Sequence, residues 1–237
     1  MRFPIGFFLL LILIFINFNC DTKTGPGGQK PLSVHMIAAV DDTCVVETGI
    51  DAIPDGNSIR LEWASADDET IDRLEVFRAS VRQGPYSKIA TLEGSALNHE
   101  DDGPSVQVRY YYYLLSVNGD GLRSDPSDTV DYKLIPKARD LAPQGLCERR
   151  PMLHWRDANY ANDYIVRVRE NGGGPMVWLS KVQSSFGSED QAVVYNADGG
   201  ASLDSLIVGR YYEWRVDVVG NESDCGSESP WATIQIQ

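Results

Sequence analysis

The stretch Tyr110-Tyr-Tyr112-Tyr-Leu114-Leu-Ser116 returns further along the chain as Tyr212-Glu-Trp214-Arg-Val216-Asp-Val218. Working outward from this pair exposes an internal repeat, and a repeat constrains the fold more than any single strand does. Upstream, Ile59-Arg-Leu61-Glu-Trp63 alternates apolar and polar residues, the period of a half-buried strand, and Met152-Leu153-His154-Trp155 matches it. Leu74-Glu-Val76-Phe77-Arg78 has its counterpart in Tyr164-Ile-Val166-Arg167-Val168. Downstream, Gly119 to Ser127 and Gly226 to Trp231 each read as a turn before a last strand.

Trp155 follows Trp63 by 92 residues and Tyr164 follows Leu74 by 90, whereas Tyr212 follows Tyr110 by 102 and Ser229 follows Ser124 by 105. The second copy therefore carries an insertion between Gly172 and Gly209. Alternating segments separated by Gly, Asp, Asn and Pro clusters predict an all-β fold of antiparallel sandwiches.

On these residues the chain resembles the fibronectin type III family. The carriers in the first copy are Trp63, the Gly84-Pro85-Tyr86 turn leading to Ile89-Ala90, Tyr110-x-Tyr112 and Ser116-Val117-Asn118. In the second they are Trp155, Tyr164-x-Val166, Tyr212-x-Trp214-Arg-Val216 and Ser229-x-Trp231. The resemblance implies two tandem seven-stranded sandwiches over 46–135 and 136–237. It also implies a Trp at each core centre and a corner hydrogen bond from Tyr110 and Tyr212. An odd strand number puts the ends of each sandwich on opposite poles. The short Asp131–Ala138 connection with Pro136 then predicts a stiff pair.

The N-terminus bears on compartment. Arg2 precedes an apolar run from Phe3 to Ile16, broken only by Pro4 and Gly6 and followed by Asn17-Phe18-Asn19-Cys20. A charged start, short apolar middle and polar end read as a secretory signal, and the run falls short of the ~18 apolar residues of a spanning helix. A Cys directly after such a run resembles the lipobox of bacterial lipoproteins, with Asn17 and Asn19 where that family favours Leu and a small residue. The resemblance implies cleavage of 1–19, acylation of Cys20 and a membrane-anchored protein of the cell envelope, periplasmic or on the outer surface of the outer membrane. Residues 20–45, polar and Gly-rich at their start, read as the lipidated Cys and a flexible tether.

Asp plus Glu outnumber Lys plus Arg by 34 to 21, a net charge of -13 that repels phosphate backbones and makes nucleic acid an unsuitable partner. Hydrophobic residues at 43% suffice for a core. No H-E-x-x-H, C-x-x-C, G-x-S-x-G or D-x-D-x-D-G pattern occurs. The acidic runs Asp41-Asp42, Asp67-Asp68-Glu69 and Glu100-Asp101-Asp102 read as solvated loops, with His99 in a turn and His154 facing away from the Trp155 side. The expectation is a protein without catalytic residues, metal or cofactor.

Cys147 and Cys225 share the second copy and form the candidate disulfide, although the turns they occupy belong to opposite poles. Cys44 has no evident mate. The insertion supplies the candidate binding residues, Trp178, Phe186 and Tyr195, since aromatics on a sandwich can stack on sugar rings or anchor a protein. Three functions fit: a lipid-anchored binding or spacer module with a protein or polysaccharide partner, a carbohydrate-binding or adhesion accessory protein, and a structural subunit of an envelope or secretion complex.

Overall fold

A computed structural model describes residues 28–157, 161–185 and 187–237, and among them every regular element is a β-strand. The leader, Cys20 and Phe186 lie outside the described residues. In chain order the first strands are β1 (His35–Met36), β2 (Asp51–Ala52), β3 (Ile59–Ala64), β4 (Ile71–Ala79), β5 (Ser87–Glu93), β6 (Asn98–Asp101), β7 (Arg109–Asn118) and β8 (Val130–Leu134). They continue as β9 (Arg139–Ala142), β10 (Gly145–Cys147), β11 (Met152–Arg156), β12 (Asp163–Glu170), β13 (Met176–Gln183), β14 (Asp190–Val194), β15 (Tyr211–Val219), β16 (Cys225–Glu228) and β17 (Ala232–Ile236). His99, expected in a turn, lies on β6.

The strands build a sandwich-like arrangement around two hydrophobic cores. In the first, Ile59, Leu61 and Trp63 of β3 pack against Leu74 and Val76 of β4 and Tyr112 and Leu114 of β7. In the second, Leu153 and Trp155 of β11 pack against the inward residues of β12 and β15. The period-2 pattern of β3 and β11 puts every second side chain inside. Burying each large apolar side chain contributes about 1.5–3 kcal/mol. His154 faces out, as the alternation requires.

The repeat extends to hydrogen-bond detail. The amide of Ser105 donates to Tyr110 Oη and that of Ile207 to Tyr212 Oη, each at 3.3 Å and each five residues upstream of its tyrosine. Ser127 Oγ accepts from the Leu114 amide, and Ser229 Oγ from that of Val216. Ser229 thus corresponds to Ser127, not to Ser124, and the last strand keeps the spacing of the tyrosine strand.

Two segment boundaries differ from the sequence reading. The expected tether to residue 45 ends earlier: Pro31, Val34 and Met36 are buried and β1 pairs with β3. Two apolar residues spaced for one strand face suffice to bind this segment to the sheet, and the wholly polar stretch upstream obscured them. At the other end, the Asp131–Ala138 connection is largely structured. Residues up to Leu134 form β8, and Ile135 and Ala138 pack into the second core.

β8 does more than close the first sheet. It pairs antiparallel with β7 and, at Lys133 and Leu134, parallel with Cys225 and Gly226 of β16. This seam joins β5, β4, β7 and β8 to β16, β15, β17, β10, β12 and β13 in one ten-stranded sheet. The Lys133 amide donates to Asp224 O and the Ile135 amide to Gly226 O, at 3.0 and 3.1 Å.

Candidate functional site

The predicted aromatic site is not a surface. Trp178 and Tyr195 are 1% and 0% exposed and meet edge-to-face with ring centroids 5.3 Å apart inside the second core. Trp178 Nε1 donates to Asp198 Oδ1, and Tyr195 Oη donates to Leu203 O. The extra length of this copy falls mainly in the 195–210 loop, which inserts Leu206 into the core. An aromatic on a strand hairpin has one face available for the core, and here burial claims both residues.

Cys147 and Cys225 are both buried free thiols. Cys147 O accepts from the Gln237 amide, next to Ile236, whose amide donates to Arg210 O just before β15; Cys225 O accepts from Gly220, just after β15. A strand of that length spans roughly 30 Å at about 3.3 Å per residue, far beyond the ~7 Å Cα separation of a disulfide.

The acidic loops are committed to structure. Asp68 accepts the amides of Leu32 and Thr70, and Asp101 accepts from Arg78 and Tyr112. These are turn-capping and core-pairing roles.

The densest chemistry lies where the two units meet. Between β1 and β2 the chain leaves the first sheet as an arm, residues 38–49. Its neck is closed by the Ile50 amide donating to Ile37 O. Gly49 sits there at φ +88°, and a Cβ would meet Ala38 O at 2.0 Å, so only glycine allows the two arms of the neck to pass. The arm reaches the outer face of β12 and β15, where Arg167 and Arg215 stand opposite one another in register.

Arg167, 1% exposed, donates from Nη1 to Cys44 O at 2.8 Å and from Nη2 to Asp42 O at 2.7 Å. Its Nε is bonded to Asp217 Oδ2. Arg215 Nη2 lies 2.6 Å from Glu47 Oε1 and 2.7 Å from Glu228 Oε1, and Nε lies 2.8 Å from Asp217 Oδ1. Trp231 roofs the row, with the Arg169 guanidinium 3.8 Å and that of Arg215 4.9 Å from its ring centre. From the first unit, Tyr132 Oη donates to Asp51 Oδ1, while Lys137, in the connection between the units, donates from Nζ to the carbonyls of Ile53 and Pro54.

Burial sets the protonation of this joint. It pushes Asp51 up to about 7, with the Glu47 charge adding to the effect, and Asp42 up to about 6, with Asp217 adding. Glu228 and Asp217 are raised for the same first reason. Burial brings Lys137 down to about 8. A cleft of about 130 Å³ bordered by Glu47, Asp51, Arg60, Arg215 and Glu228 gives solvent access. Carboxylate oxygens of Glu47, Asp51 and Glu228 converge within 4.8 Å, the oxygen chemistry of a hard cation, but the Arg215 guanidinium already bonds two of the three.

No protein-family model matches the chain, and no curated protein sequence matches it. Solved structures similar to it include a two-domain fibronectin type III segment of chicken tenascin, at 14% identity and TM-score 0.33, covering 86% of this chain and 97% of that one. A Fn3-like protein from Clostridium thermocellum aligns at 22% identity and TM-score 0.32 over 45% of this chain and 92% of its own. A β-1,2-glucanase from Parabacteroides distasonis aligns at 17% identity and TM-score 0.34, over 45% of this chain and 14% of that enzyme.

Proposed function

We propose that this chain is a non-catalytic binding or spacer module of the cell envelope, held to a membrane by an acylated Cys20, which presents two sandwich-like units as one fixed body. The single observation that carries the reading is the seam: β8 continues into the sheet of the second unit, and the arm clamps the same joint. A flexible linker needs no such bonding, so a joint with this many partners serves a fixed orientation. The leader ending at Cys20 supports the anchor, and the net charge of -13 speaks against nucleic acid as the partner.

Two measurements test this. The intact mass of the mature polypeptide isolated from its native membrane should show fatty acyl chains at Cys20; an unmodified Cys20 or a retained leader removes the anchor. Crosslinking in the native cell, followed by identification of the captured species, should yield a protein or polysaccharide partner.

A further inference from the structure

We propose that the joint between the two units is proton-linked: it is closed while Asp51 and Glu228 hold protons, and it loosens as the medium turns alkaline. The inference rests on the reading of the two units as a fixed pair and names what regulates the fixing.

The argument begins from the charges that face each other. From the first unit come Asp42 and Glu47 of the arm and Asp51 of β2, with Tyr132 of β8 donating to Asp51. From the second come Arg167 of β12, Arg215 and Asp217 of β15 and Glu228 of β16. Lys137 points into the joint but donates to two carbonyls, with Asp55 and Glu228 among the charges that act on it. The remaining groups at the rim are paired: Arg60 with Glu62 of β3, Arg169 of β12 with Glu213 of β15, and Lys181 of β13 with Asp163 of β12. Asp41 accepts from Thr43.

With every carboxylate ionised, Asp42, Glu47, Asp51, Asp217 and Glu228 confront two guanidinium groups and one ammonium. Such a surplus is costly around Asp217 and Glu228, which are buried. The like charges also lie on opposite sides, because Asp42, Glu47 and Asp51 belong to the first unit and Asp217 and Glu228 to the second. Their repulsion therefore acts to part the units rather than to unfold either. Protons remove it, and the cleft beside Asp51 and Glu228 lets them exchange.

The direction follows from linkage. Asp51 is raised, so the closed joint binds more protons than the open one. Its stabilisation is complete below the ordinary aspartate range and is lost as pH rises through about 7.

The test is amide hydrogen exchange of the full chain in detergent, corrected for the intrinsic pH dependence. The amides of Lys133 and Ile135 report the seam, and those of β12 report the second core. Between about pH 5.5 and about pH 8.5 the seam amides should lose about tenfold or more in protection while β12 keeps its own, since one pKa unit of differential proton binding is a factor of ten. Asp51→Asn should flatten that profile, because Asp51 titrates within this window. Equal seam protection at every pH overturns proton linkage and leaves the fixed pair standing. Seam amides unprotected at every pH overturn the fixed pair itself. If this variant loses protection in β12, the wild-type profile decides alone.

Discussion

Glu47 and Arg215 are joined across 168 residues of sequence, both carboxylate oxygens lying within 2.7 Å of one guanidinium nitrogen. Arg215 is 4% exposed and contacts three carboxylates, whereas the Glu47 side chain is 26% exposed and also reaches Arg167 at 2.7 Å. Removing the shared cation should therefore matter more than neutralising one of its carboxylates. Arg215→Met leaves Asp217 and Glu228 facing one another with less cation between them and should cost about 3–5 kcal/mol, the range for breaking a buried pair. Glu47→Gln keeps an acceptor and should cost about 1 kcal/mol. Urea denaturation of both variants checks this, and equal losses would contradict the asymmetry.

The seam is sterically tight at Gly226. A Cβ there would meet Tyr132 Oη at 2.8 Å and Val218 O at 3.0 Å. Gly226→Ala should therefore destabilise by about 1–3 kcal/mol, as overpacking does. Adding Tyr132→Phe removes the closest atom, and calorimetry should show the double variant recovering part of the loss.

Trp178→Ala should act on stability. Truncation of a buried Trp costs about 3–5 kcal/mol, through lost burial and the cavity it leaves. A thermal melt should drop accordingly. A variant with unchanged melting but altered binding would return Trp178 to the surface.

Thiol accessibility separates the three described cysteines. Cys44 is exposed, whereas Cys147 and Cys225 are buried and burial raises both thiols. Under native conditions iodoacetamide should modify Cys44 and spare the other two, and all three should react in denaturant. A Cys147–Cys225 cross-link in a non-reducing digest would contradict the strand order around β15.

Lys137 contributes a pH dependence of its own sign. Burial holds it at about 8, below its usual value, so the unfolded chain binds more protons between that pH and the ordinary lysine range. Its contribution to stability rises with pH over that window. Lys137→Met should remove this rise, which the difference between the wild-type and variant urea midpoints at about pH 8 and about pH 10 measures.

The strands were readable because period 2 is local. The Ile59–Trp63 and Met152–Trp155 alternations declare which side chains enter a core, and the tyrosine strands declare that the unit occurs twice. The corner bonds of Tyr110 and Tyr212 follow from the same local register. The last-strand equivalence was misplaced by three residues because Ser124 and Ser127 both carry a buried hydroxyl that accepts a β7 amide, and only the matching partner, Leu114 or Val216, tells them apart.

What the sequence determined alone is the all-β pattern and the duplication, the first set by alternation along a strand and the second by its return. Tertiary structure decided which face of the second unit carries Arg167, Arg215 and Asp217 and what covers it. Asp41-Asp42 reads as a solvated acidic loop, since nothing in its neighbours reports a strand more than a hundred positions away. Whether an aromatic such as Trp178 faces solvent or core is likewise a question of which sheet lies opposite. Burial, pairing and protonation are properties of surfaces brought together, and they exist only once the two sandwich-like units meet.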